Sequence, residues 1–181
     1  MRLRNNPLAN ELLEKHNSII KKIPIELDEN TILEIGMGKG EMITKMALNQ
    51  PLKKFIGIEK FPTVILKALK VIDEKKISNL NIVCQDILKL ENSFEGKAKS
   101  IWLTFSDPWP KKRHYKRRLT YKKYLDIYKN ILSDEGILLI KTDNDLLYNF
   151  SIESLIEYGA KIIYKTTDLY SSEKIENNIQ T

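Results

Sequence analysis

A lone carboxylate just ahead of an aromatic framed by two prolines, Asp107 in Phe105-Ser106-Asp107-Pro108-Trp109-Pro110, runs directly into a block of cations. From Lys111 to Lys123 there are eight Lys or Arg and no acid. The chain carries +6 overall, and without that block its 24 acids slightly outnumber the remaining bases. Positive charge this concentrated suits a polyanion and puts it beside whatever Asp107 does. The plain alternative is a solvated helix face behind a rigid loop, although such a face normally intersperses acids among its bases.

A second cluster has a different chemistry. Gly36-Met37-Gly38-Lys39-Gly40 follows the apolar run Thr31–Ile35, and Met42, Ile43, Met46 and Ala47 then recur at helical spacing. Glycines at a strand-to-helix turn let backbone approach a ligand closely, and the helix N-terminus adds amide donors; tight packing alone is the simpler alternative. The spacing is G-x-G-x-G rather than the G-x-G-x-x-G of dinucleotide binders, and no Lys-Ser/Thr pair follows, so a pyrophosphate cradle is disfavoured. Glu59 stands at the end of a second apolar run, about twenty residues beyond the loop, where a carboxylate can accept from ribose hydroxyls. Asp86 follows a third run, where a carboxylate can accept from an adenine amino group. Glu34 lies inside the first run, an unusual place for a charge in a buried sheet. Each could be an ordinary solvated acid, but three at successive strand ends around one crevice point to a nucleoside. With phosphate disfavoured, S-adenosylmethionine is the cofactor that suits an acid-lined pocket.

The elements that would position these groups read as alternating strands and helices. An amphipathic helix is expected over about 7–22, from Leu8, Leu12, Ile19, Ile20 and Ile23, ending before Pro24. Strands are expected at Thr31–Ile35, Lys54–Ile58, Asn81–Cys84, Ile101–Phe105, Gly136–Ile140 and Lys161–Tyr164. Helices are expected after the glycine loop, along Ile65, Ala68, Leu69 and Ile72, along Tyr121, Tyr124, Leu125, Tyr128 and Leu132, and over 146–158. Short apolar runs alternating with helices imply an α/β fold: one doubly wound, Rossmann-like domain over residues 1–181 with a mostly parallel sheet. Ligands of such sheets bind beyond the carboxyl ends of the strands.

Composition narrows the classes. At 181 residues with 42% apolar and 30% charged side chains, the chain has the profile of an ordinary soluble globule with one core. Its single cysteine, Cys84, excludes an internal disulfide and a cysteine-based zinc site. His16 and His114 form no metal-ligand pattern, so no metal is expected. The N-terminal residues lack the apolar core of a signal peptide and no run reaches membrane-spanning length. A cytoplasmic location with no membrane partner is the expectation, with a monomer favoured.

Taken together, Leu33-Glu34-Ile35-Gly36-Met37-Gly38-Lys39-Gly40-Glu41, Gly57-Ile58-Glu59-Lys60, Phe105 through Arg118, and Ile140-Lys141-Thr142-Asp143-Asn144 resemble the bacterial tRNA (guanine-N7)-methyltransferases, which modify guanine 46 in the variable loop. The resemblance covers nearly the whole chain. Its Asp-Pro-Trp-Pro-Lys-Lys-Arg-His run is specific, whereas the glycine loop is shared by many methyltransferases. It implies that Glu34, Gly36, Gly38, Gly40, Glu59 and Asp86 contact S-adenosylmethionine, and that Asp107 is the catalytic acid position, also near the cofactor. It implies that Lys111 and Asp143 contact substrate and that Arg113, His114, Tyr115, Lys116, Arg117 and Arg118 touch the transfer RNA. The family pattern continues from Thr181 into Glu-Tyr-Glu, a motif that helps bind the guanine; the sequence here ends at Thr181, which is accordingly placed on the substrate side. Asp143 could instead cap the following helix, and Trp109 could stack on a base or anchor its loop.

Other functions remain in view. Methyltransferases acting on exocyclic amines typically carry Asp/Asn-Pro-Pro followed by an aromatic at the fourth strand, a step that Asp107-Pro108-Trp109-Pro110 lacks. A non-catalytic RNA-binding protein of the same fold would have little reason to keep Glu59, Asp86 and Asp107 together. A nicotinamide dehydrogenase is disfavoured by the glycine spacing.

Overall fold

The computed structural model describes residues 6–172. Among them seven strands and five α-helices follow in order: α1 (Ala9–Lys15), β1 (Ile25–Glu26), β2 (Thr31–Ile35), α2 (Glu41–Asn49), β3 (Lys54–Glu59), α3 (Pro62–Lys75), β4 (Leu80–Cys84), β5 (Phe94–Glu95), β6 (Ala98–Thr104), α4 (Lys122–Ile131), β7 (Leu132–Lys141) and α5 (Asp145–Tyr158). Five strands form one sheet in the order β4-β3-β2-β6-β7, and every pairing in it is parallel. The strand order reverses at β2, so the crevice between the loops after β2 and β6 is the topological switch point.

The inner strands β2 and β3 are covered on both faces, which is why they are nearly continuous buried runs rather than alternating ones. All five residues of β2 are buried. Leu33 and Ile35 point to the face packed by Leu125, Tyr128 and Ile131 of α4, while Ile32 points to the other, against Ile43, Ile65 and Leu69 of α2 and α3. On α4, Tyr124, Leu125 and Tyr128 turn inward at helical spacing and Lys122, Lys123 and Lys129 stay in solvent. Deleting a fully buried side chain such as Leu33 would cost about 2–5 kcal/mol. Two glycines permit close approach here. A Cβ on Gly40 would stand 2.8 Å from the Ala68 Cβ, so glycine lets α2 start against α3, and a Cβ on Gly57 would collide with the Met37 Sδ that lies across β3.

Two expectations from sequence are corrected, and one pair of strands is new. The first helix ends at Lys15 rather than near Lys22. The His16 ring accepts from the Ser18 amide and pairs with Asp73, and the chain then exchanges backbone hydrogen bonds with β4 through Ile20 and Ser18. The apolar side chains of Ile19 and Ile20 therefore serve an extended edge segment, not a helix. Residues 161–164 pair with no strand among the described residues: Gly159 closes α5 at φ +81°, and Ile163 beyond it is 66% exposed. The two-residue pair β1 and β5 was not foreseen, because strands that short carry no periodicity.

Candidate active site

Parallel pairing brings five chemically loaded loops to one edge of the sheet. Ile35 lies beside Ile58, Glu59 beside Cys84, and Thr104 beside Lys141. Beyond these strand ends come the glycine loop, Lys60 and Phe61, Gln85 and Asp86, the Asp107 loop, and Thr142 and Asp143. Glu34 pairs with Trp102 across β2 and β6, so the glycine loop and the Asp107 loop emerge from adjacent strands.

The glycine loop is built on left-handed backbone at three positions, with φ of +73° at Gly36, +56° at Gly38 and +74° at Gly40. Gly38 has nothing within 4 Å of where a Cβ would stand, which leaves an open cradle at the middle of the loop. Glu59, 8% exposed, fixes that loop from the next strand. Its Oε2 accepts from the Gly38 amide at 3.1 Å, and its Oε1 accepts from the amides of Lys60 and Phe61 at 2.8 and 3.0 Å. Sequence reasoning placed Glu59 at a ribose; what the structure shows is a carboxylate that ties the glycine loop to the loop after β3.

Glu34 is 3% exposed and its Oε2 has no hydrogen-bond partner. Burial pushes its carboxyl up to about 7, a rise opposed by the Thr104 hydroxyl and the Ile43 amide. An orphaned buried oxygen at the strand end, together with the open cradle at Gly38, fits a cationic, donor-bearing ligand in this crevice. Asp86 caps a short 3-10 helix, its Oδ1 accepting from the Leu88 amide at 3.0 Å, while its Oδ2 lies 3.9 Å from the Lys60 ammonium. Lys60 carried no role in the sequence; only the register of β3 against β4 reveals that it faces Asp86.

The loop after β6 is irregular and held from behind. Phe105 and Trp109 both adopt left-handed backbone, φ +47° and +44°, a rare state for bulky side chains. Asp107 is exposed and makes no hydrogen bond or ion pair among the described residues. Trp109 is half-buried, meeting the His114 ring edge-on at 5.7 Å with the Arg117 guanidinium 4.9 Å over its indole. The cations that follow form a 3-10 helix, Lys112–Arg117, whose residues contribute nothing to the core. Lys111, Arg113, Lys116 and Arg117 are exposed, as is Tyr115, which has the Lys116 ammonium 5.8 Å above its ring. Desolvation first, then the charges of Arg117, Arg113 and Lys111, hold the His114 ring below the usual imidazole range.

Arg118 departs from this pattern. Read from sequence as another RNA-facing cation, it is 6% exposed and donates to the Pro108 and Trp109 carbonyls at 2.8 and 3.1 Å. A run of charged residues conceals which of them turns inward, so nothing in the sequence could have separated it. Asp143 is exposed, and it is Asn144, not Asp143, that caps α5 by accepting from the Leu147 amide at 3.0 Å. The capping alternative for Asp143 is thereby removed. Thr181 lies outside the described residues. Among the described residues no cluster of His, Cys, Asp or Glu is placed to hold a metal, and no helix is long and apolar enough to cross a membrane.

Comparison with known proteins fits this arrangement. Residues 28–181 match the family described as "Putative methyltransferase". The tRNA (guanine-N(7)-)-methyltransferase of Mesomycoplasma hyopneumoniae strain J is 50% identical over 181 residues, covering 100% of this chain and 90% of its own. The enzyme of the same name from Mycoplasmopsis synoviae is 52% identical over 182 residues, covering 100% and 89%. Among solved structures, PKMT2 from Rickettsia typhi in complex with AdoHcy superposes with a TM-score of 0.51 at 24% identity, over 74% of this chain and 24% of that one, a likeness of fold. With half its residues shared along its full length with those curated enzymes, the chain belongs to the tRNA (guanine-N7)-methyltransferase family.

Proposed function

We propose that this protein transfers the methyl group of S-adenosylmethionine to N7 of guanine 46 in the variable loop of transfer RNA. The observation that carries the reading is the single sheet edge on which an open, acid-braced glycine loop stands beside Asp107 and a row of solvent-facing cations. S-adenosylmethionine, when bound, supplies an electrophilic methyl on a sulfonium centre. Glu34, Glu59, Asp86 and the backbone of Gly36, Gly38 and Gly40 are the groups proposed to hold it. Glu34 is suited to a cationic ligand because a neighbouring positive charge favours the ionised carboxyl that burial disfavours.

Guanine N7 presents an in-plane lone pair, so no proton has to leave before the methyl arrives. The protein's task is to align the base and to stabilise the positive charge that develops on the imidazole ring. Asp107 is proposed to accept from the guanine N–H edge and to balance that charge, not to act as an obligate base. Asp143, free of capping duty, is proposed as a second acceptor for the base, and Lys111 as a donor to a phosphate or to the guanine oxygen. Arg113, Lys116 and Arg117, with Tyr115 and His114 between them, are proposed to grip the RNA backbone. Trp109 is suited to shield the base, being already stacked on one side by Arg117. Incubation with methyl-labelled S-adenosylmethionine and unmodified transfer RNA, followed by nucleoside analysis, tests the reading. N7-methylguanosine at position 46 is expected; label in an exocyclic N-methyl nucleoside, or none at all, would refute it.

A further inference from the structure

Arg118 sits where three parts of the site meet. Its Nε donates to the Pro108 carbonyl at 2.8 Å and its Nη2 to the Trp109 carbonyl at 3.1 Å, so both hydrogen bonds land on the two residues after Asp107. The guanidinium carbon lies 4.4 Å over the centre of the Phe150 ring on α5, the helix capped by Asn144, the residue after Asp143. The next residue, Leu119, packs beneath the glycine loop, its Cδ1 only 3.2 Å from where a Cβ on Gly36 would stand. The segment is anchored in turn to α5: the Ser154 hydroxyl donates to the Thr120 carbonyl at 2.6 Å, and the Thr120 and Ser151 hydroxyls share a 3.0 Å hydrogen bond.

We propose that Arg118 is a positioning residue that clamps the Asp107 loop to α5, fixing Asp107 relative to Asp143 and to the glycine loop, and is not one of the cations that bind RNA. Three observations converge on this. The side chain is buried within a block whose other arginines and lysines face solvent. Its hydrogen bonds go to carbonyls on either side of the Trp109 backbone kink, at φ +44°, where charge-assisted donors can hold a conformation that bulky side chains rarely adopt. Its geometry also needs an arginine: two donors reach adjacent carbonyls while the guanidinium carbon sits over an aromatic ring, and a lysine ammonium can satisfy only part of that.

The proposal rests on Asp107 and Asp143 both facing substrate, and its test separates the two ideas. Arg118→Met and Arg118→Lys are compared with wild type in turnover at saturating transfer RNA, in S-adenosylmethionine affinity, and in the salt dependence of RNA binding. A clamp predicts that kcat falls by about 10–100-fold in both variants, the cost of a catalytic group misplaced by about an ångström. It predicts an unchanged slope of log affinity against log salt in Arg118→Met, because no phosphate contact is lost. A slope flattened by about 0.7–0.9, the signature of one lost phosphate contact, would overturn it. Wild-type kcat in Arg118→Met, or full rescue by Arg118→Lys, would also overturn it. Failure of even Arg118→Lys to fold would make the residue a determinant of folding instead, and would equally sink the clamp. If the wild-type protein forms no N7-methylguanosine, the functional reading itself has failed, a result distinguishable from any of these.

Discussion

Replacing Glu59 should weaken cofactor binding without touching RNA binding, and the size of the effect follows from its hydrogen bonds. The carboxylate accepts from three backbone amides, those of Gly38, Lys60 and Phe61, and it is 8% exposed. Glu59→Ala leaves all three donors without their acceptor and removes the carboxylate proposed to meet the ribose. A buried donor left unpaired costs about 1–3 kcal/mol, but these amides lie at an open sheet edge where water can replace part of what is lost. The net loss of S-adenosylmethionine affinity should therefore be about 1–3 kcal/mol, roughly 5–150-fold in Kd. Glu59→Gln keeps one acceptor, which can still serve Lys60 and Phe61, but turns an amino group toward Gly38; its loss should be intermediate. Titration calorimetry on both variants, with circular dichroism to verify folding, gives the affinities, and transfer RNA affinity should stay within about twofold, well under 1 kcal/mol. Unchanged cofactor affinity in a folded Glu59→Ala protein would refute both the brace and the ribose assignment.

Asp107→Ala should lower turnover at saturating substrates by about 10²–10⁴-fold, the range for a positioned catalytic group, and single-turnover kinetics will read it directly. Asp107→Asn should exceed Asp107→Ala in rate only if orienting the guanine outweighs balancing its charge. Replacing Arg113 and Lys116 together by alanine should flatten the salt slope of RNA binding by about 1–2 units and weaken different transfer RNAs alike, since phosphate contacts position without reading sequence. Glu34 supplies a pH prediction. Burial lifts its carboxyl from 4.5 to about 7, so the folded chain keeps a proton that the unfolded chain has already released. The stability this contributes is complete below about pH 4.5 and is lost as pH rises through about 7. Relative to wild type, cofactor-free Glu34→Gln should accordingly gain stability as the pH is raised from about 5 to 8, by up to about 3 kcal/mol, measurable as a rising difference in Tm.

The parts of this protein that could be read from sequence are those governed by local pattern. Thr31–Ile35 is a strand as expected, because a short, largely apolar run ahead of a glycine turn suits burial on both sides, Glu34 being its one charged member. The α4 stripe of Tyr124, Leu125 and Tyr128 was equally plain. The acids at successive strand ends come to one edge of the sheet because parallel register follows from strands joined through helices. What escaped detection depends on partners distant in sequence. The helix expected to reach Lys22 stops at Lys15 because His16 finds Asp73, 57 residues away, and its neighbours find β4. Residues 161–164 have strand-like composition but no strand beside them among the described residues. Arg118 looks like its neighbours in composition and differs from them only in direction, toward Pro108, Trp109 and Phe150.

The central claim is that N7 of one guanine in transfer RNA is the nucleophile. A transfer RNA carrying 7-deazaguanosine at position 46 keeps the shape and the N–H edge of guanine but replaces the N7 lone pair with a C–H bond. Incubated with the protein and methyl-labelled S-adenosylmethionine beside the unsubstituted RNA, it should bind with similar affinity and accept no label, while the unsubstituted RNA gains one methyl per molecule as N7-methylguanosine. Label entering the 7-deaza RNA to the same extent as the control would contradict the account.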